Sequence, residues 1–236
     1  MNKYTFKFGI TPGVAVENEI TLPPFHCTAR EKTLTLKVTA DGADEQRLHE
    51  QANQVAHNWA RSLSFMLGKR FEVEYQGRDV VRDTGQQTVA FCLRIKVKPA
   101  ADETADTDAL ERERETVHRN LADLTIRASL DPNLRDMMEH WRRYAGDPDG
   151  RLHPLYDVLQ AVERLYGDRR NAASALNVSY ADLNDLGRIS NDPTVLNGRH
   201  PGKSLGPHRV ATETEVKTCE RVAQALIAKQ AAKITV

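Results

Sequence analysis

Arg199 and His200 stand side by side in a stretch, Pro193 to Thr212, that holds five basic side chains and no acidic one: Arg199, His200, Lys203, His208 and Arg209. Arginine can hold a phosphate while histidine moves a proton near neutral pH, so the pair suggests phosphate binding with acid-base chemistry. Gly198, Gly202 and Gly206 punctuate the stretch. It runs into a helix whose start is marked by Thr212-x-x-Glu215, a capping box. A helix N-terminus presents unpaired amides and a partial positive charge, so a cationic loop leading into one is a candidate anion site. With Arg188 and Asn191 just before it, the candidate phosphate-binding set is Arg188, Asn191, Arg199, Lys203, His208 and Arg209. The bland alternative is a solvated surface loop, with Asn191 and Asp192 as a turn before Pro193. A structureless connection of this length in a compact domain points to function or disorder.

The imbalance is local, because the whole chain carries 33 basic and 33 acidic residues. A chain with no net charge has no global attraction for polyanions, so an anion site must come from focused charge. No nucleophile, carboxylate pair or metal-ligand cluster accompanies the basic stretch. His26-Cys27 after Pro23-Pro24 could begin a metal site, but Cys92 is the only other early thiol and no spacing supports one. Neither metal nor cofactor is expected.

The elements that must carry these residues can be read from periodicity. Leu34, Leu36 and Val38 alternate with threonines and a lysine, as in a strand with one buried face. The pattern recurs at Phe71, Val73 and Tyr75, at Val89 to Val97, and at Tyr4, Phe6 and Phe8. Leu48, Ala52, Val55, Trp59, Leu63 and Met66 mark a long helix from about Ala43 to Leu67. Pro99 to Asp108, PAADETADTD, lacks bulky apolar side chains and reads as a linker. Everything beyond it is helical. Helices are expected over Leu110 to Ala128, from Asp131-Pro132 to Ala145, over Pro154 to Tyr166, around Asp168 to Leu176 and Ser179 to Ile189, and after Thr212. Trp59, Trp141, Met137 and Met138 fall on apolar stripes and read as core.

The expected fold is α+β. It has a mixed α/β domain over residues 1–98 with one long helix, an acidic linker over 99–109, and an α-helical bundle domain over 110–236. Three scattered cysteines without a CxxC pair suggest a reduced, cytoplasmic setting. No segment approaches the ~20 apolar residues of a membrane span, and no signal-peptide run opens the chain.

Tyr166-Gly167, Leu176-Asn177-Val178-Ser179, Arg188-Ile189-Ser190-Asn191 and Arg199-His200 follow one another towards the last helix. This order resembles a group of bacterial proteins whose helical end is similar to the HEPN superfamily. The group's pattern is a helix ending in Tyr-Gly or Phe-Gly, a short helix, a Leu-x-Val-Ser-like turn, an Arg-x-x-Asn step and then Arg-His. The helix ending in Trp59 through Met66 resembles the group's N-terminal region. The resemblance covers about a third of the chain and implies a HEPN-like bundle, pairing as a homodimer, RNA as partner and, by analogy alone, a link to bacterial defence.

HEPN nucleases carry an Arg followed after four to six residues by His. Arg135 to His140 fits those letters, and Arg112 with His118 fits the spacing. Arg135 and His140, however, lie about 140° apart around one helix and would not converge.

The leading expectation is a non-catalytic or weakly catalytic module that binds RNA or another phosphate-bearing ligand. The enzyme alternative is a metal-independent ribonuclease with His200 or His140 as acid-base. A structural subunit with no ligand is a third reading. A fourth is a DNA-binding regulator, because Arg170 to Ile189 resembles a helix-turn-helix, with Asn177 at the turn and Ser179 capping the second helix. That helix offers Asp182 and Asp185 against Arg188 alone, which opposes attraction to a phosphate-lined groove.

Overall fold

The computed structural model describes residues 1–12, 18–40, 44–81, 107–199 and 207–236, with side chains throughout except at Asn18 and over residues 107–118. The expected strand at Val89 to Val97 and the acidic linker up to residue 106 lie outside them.

The chain is α+β, an N-terminal five-stranded antiparallel sheet with one helix, followed by helices. It divides into two compact units, one of Met1–Ala56 with Val73–Ala122, the other of His57–Glu72 with Asp123–Val236. The division falls inside two helices, α1 (Glu45–Leu67) and α2 (Thr107–Leu130).

In the first unit the strands are β1 (Asn2–Thr11), β2 (Asn18–Leu22), β3 (Phe25–Arg30), β4 (Thr33–Ala40) and β5 (Glu72–Val81), ordered β2-β3-β4-β1-β5. Alternation decides which face is covered. Tyr4, Phe6, Phe8 and Ile10 of β1 are buried, while Lys3, Thr5 and Lys7 point the other way. The register keeps the covered face continuous, with Phe6 opposite Leu36, Leu36 opposite Cys27 and Cys27 opposite Ile20. Each such side chain removed from water contributes roughly 1.5–3 kcal/mol, so one slip of register would expose the whole row. Leu48 and Ala52 on the first half of α1 are buried as well.

In the second unit the helices are α3 (Pro132–Ala145), α4 (His153–Tyr166), α5 (Arg169–Leu176), α6 (Tyr180–Asn191) and α7 (Glu213–Lys233). One cluster joins Met137, Met138 and Trp141 of α3 to Val158 and Leu159 of α4, Leu183 and Leu186 of α6, and Val222 and Leu226 of α7. Helix α4 touches α3, α5, α6 and α7, which makes it the centre of the bundle.

Local signals set the helix ends. Asp131 accepts from the Asn133 amide at the start of α3, Asp168 from that of Asn171 at α5, Ser179 from that of Asp182 at α6, and Thr212 and Glu215 close their box on α7. Asn177 ends α5 at φ 49°, ψ 56°, a left-handed position that asparagine tolerates.

Polar side chains then fix the packing. Gln230, nearly buried, accepts from the Tyr166 hydroxyl at 2.8 Å and donates to Asp131 at 2.7 Å, tying α7 to the end of α4 and the start of α3. Arg61 and Arg142 both donate to Glu139, at 3.0 and 2.6 Å. Burial opposes the Glu139 charge, but those arginines hold its carboxyl below the usual range. Gly187 lets Arg169 cross α6 closely: a Cβ there would lie 2.7 Å from the guanidinium, which would have to move aside. Among the described residues no helix is long and apolar enough to cross a membrane.

Candidate functional site

The described parts of the basic stretch are held by hydrogen bonds. Val195 is fully buried and bridges to Arg209, with Leu196 donating to the Arg209 carbonyl at 2.8 Å and Arg209 to that of Thr194 at 2.9 Å. Asn197 is the staple of this segment. Its carbonyl accepts from Leu152, its side-chain amide donates to Gly150, and its side-chain oxygen accepts from Ala211, at 2.7, 3.2 and 2.9 Å. The Arg199 amide reaches back to Ser190 at 2.7 Å. These bonds fasten the chain before and after residues 200–206 to the turn between α3 and α4.

Each described cation of the candidate set faces its own partner. Arg209 donates two bonds to Glu215, at 2.6 and 2.8 Å, and lies 3.7 Å from Asp192. The guanidinium, with the Thr212 bonds behind it, pushes the Glu215 carboxyl down to about 2. Arg188 donates to Asp185 at 3.2 Å. The Arg199 guanidinium lies over the Tyr156 ring, 4.7 Å from its centre, where the ring face attracts a cation. Asn191 is the last residue of α6 and His208 is exposed. His200 and Lys203 lie outside the described residues.

His140 meets different company. Its Nδ1 is 3.6 Å from Asp157 Oδ2 and also meets the Arg143 guanidinium. Burial, then Arg143, lowers its pKa, with Arg164 adding and Asp157 and Asp136 opposing. Arg135 is not among the groups acting on it. His153 approaches the other oxygen of Asp157 at 3.4 Å, so one carboxylate serves two histidines. Among the described residues, no group of three His, Cys, Asp or Glu side chains is placed to hold a metal ion.

Next to this cluster the α3–α4 turn forms a cleft of about 380 Å³, lined by Arg70, Arg143, Arg151 and His153 among others. Local sequence builds it. Gly146 ends α3, Asp147 accepts from the Asp149 amide at 2.9 Å to shape the turn, and α4 starts at His153-Pro154. Leu152 occupies the cap position, so no side chain caps the first amides of α4. Arg151 pairs with Asp149 at 2.8 Å, but both are more than 60% exposed, and such a pair is worth only about 0–1 kcal/mol. Arg199, over Tyr156, stands on the first turn of the same helix. Sequence reasoning took in Arg199 and His140 and missed Arg143, Arg151, His153 and Asp157. The available signal was spacing: His140 and Arg143 share one face of α3, and His153 and Asp157 one face of α4.

Helix α6 has the entry of a helix-turn-helix, but the Asp182 carboxylate on it is gripped at 3.0 Å by both amino groups of Arg221 from α7. Its exposed side thus carries paired charge.

Fold and cleft together define an α+β protein whose helical unit carries a cationic recess at the start of its central helix. Comparison with protein-family models, with curated proteins and with solved structures gives no match.

Proposed function

We propose that this chain is a non-catalytic cytoplasmic binding module with a HEPN-like helical part, acting as a homodimer and holding a phosphate-bearing ligand, RNA foremost. The observation that carries the reading is the gathering of Arg143, Arg151 and His153 around one cleft at the uncapped start of α4, with Arg199 on the same turn. Guanidinium forks are the donors that phosphate oxygens take. Arg188, Asn191, His208 and Arg209 then act at its margin or as structure, since Arg188 and Arg209 are occupied by carboxylates. The test is binding of the purified protein to labelled single-stranded RNA and duplex DNA across a salt series. Salt-sensitive RNA binding that Arg143→Ala weakens supports the module; no binding at low salt overturns it.

One observation favours a second reading, a metal-independent ribonuclease. His140 lies beside Asp157 and Arg143, which gives an acid-base, an orienting carboxylate and a phosphate-steadying cation. Gel analysis of the same RNA samples decides it. Cleavage that disappears in His140→Ala while binding persists supports the nuclease, and intact RNA rejects it.

A further inference from the structure

We propose that the ligand of the α3–α4 cleft is a phosphomonoester, the phosphate at the end of an RNA strand, and not the run of phosphodiesters along one. The inference rests on the binding reading above and narrows it.

The first argument is the distribution of charge. A strand laid along a protein needs cations repeated down a groove, one for each phosphate engaged. Here they meet at one point: Arg143 from the last turn of α3, Arg151 and His153 from the entry to α4, and Arg70 against Gly146. Away from that point several of the bundle's described arginines already hold a carboxylate. Arg209 holds Glu215, Arg221 holds Asp182, Arg188 holds Asp185 and Arg169 holds Glu163. The exposed side of α6 carries Asp182 and Asp185, each paired with an arginine, and so offers a strand no surplus of positive charge. A chain with no net charge adds no background attraction.

The second argument is stoichiometric. At neutral pH a phosphomonoester carries about −1.5 to −2 charge and three acceptor oxygens, whereas an internal phosphodiester carries a single charge. Several donors around one point are better matched by the former, and a volume of about 380 Å³ lies at the small end of pockets that take single ligands. Two arginines can each present a fork to the same phosphate. Arg151 gives up only an exposed pair with Asp149 to do so, and Arg70 a half-exposed one with Glu72. The cleft's own carboxylate, Asp147, has an oxygen occupied by the Asp149 amide.

The test uses the full chain and one oligoribonucleotide sequence in three forms, 5′-phosphorylated, 3′-phosphorylated and hydroxyl-ended, by fluorescence anisotropy across a salt series. At least one phosphorylated form binds tenfold or more tighter than the hydroxyl-ended form, and the two arms identify which end is read. The logarithmic salt slope is shallow, about −0.7 to −1.4, as one or two phosphates require. Arg143→Ala and Arg151→Ala each erase most of the tenfold preference. Both side chains are exposed, so circular dichroism is expected to report an unchanged fold. Equal affinity for all three forms with a steep slope overturns the end-recognition inference and leaves RNA binding standing. No binding by any form at low salt overturns both.

Discussion

Two groups of arginines in the helical unit are alike in type and opposite in circumstance. Arg188 just before the stretch with the densest basic composition and Arg209 within it are each bonded to a nearby carboxylate, Asp185 or Glu215. Arg143 and Arg151 come from a turn with no basic run, and they border an open recess beside an uncapped helix start. The difference teaches that an anion site is made where cations from separate elements converge on an open recess. Counting charges along the chain finds the first group, and only the fold finds the second.

The sharpest way to break this comparison is charge reversal. The double variant Arg143→Glu, Arg151→Glu lowers affinity for single-stranded RNA by a hundredfold or more, about 2.7 kcal/mol, measured by anisotropy at low salt. Equal loss from Arg188→Glu would abolish the distinction between the two groups. Next in size is Asn197→Ala, which leaves the Ala211 amide and the Gly150 carbonyl without their partner. An unfolding free energy lower by about 1–3 kcal/mol is the expected reading of a denaturant titration.

The acid response tests whether Arg209 is committed. Glu215 has its folded pKa depressed to about 2 from an ordinary 4.5, so its contribution to stability is full above pH 4.5 and is lost as the pH falls towards 2. Glu215→Gln flattens the fall of melting temperature in that window, and parallel curves for the two proteins would show that the pair does not form. Smallest is Arg188→Ala, an exposed pair: stability within about 0.5 kcal/mol and unchanged RNA affinity, by the same two assays.

Caps are the most legible part of this sequence because they are written within four residues. Asp131, Asn177, Ser179 and the Thr212–Glu215 box all sit where their letters predict. Strands β1, β4 and β5 were legible by alternation, and the helical succession by its apolar stripes. The hairpin of β2 and β3 was not. Pro23-Pro24 reads as a break, and the covered row Phe25, Cys27 and Ala29 is short and ends in alanine, a residue of weak strand preference. The cleft was illegible for another reason. Arg70, Arg143 and His153 are scattered over more than 80 positions, and no local rule brings them together. Asn197 carries no mark in the sequence because its partners, Gly150, Leu152 and Ala211, belong to other segments of the chain.

The Asn197 staple has a consequence in the language of isotope exchange. The amides of Leu152, Arg199 and Ala211 lie outside every helix and strand, where protons are ordinarily traded with solvent within moments. Leu152 and Ala211 are bonded to Asn197, so their release requires the α3–α4 turn or the approach to α7 to leave it, and Arg199 is bonded to Ser190 at the end of α6. In deuterated water these three are expected to persist with the interior of the bundle, so a segment with no regular structure would carry the exchange signature of a core.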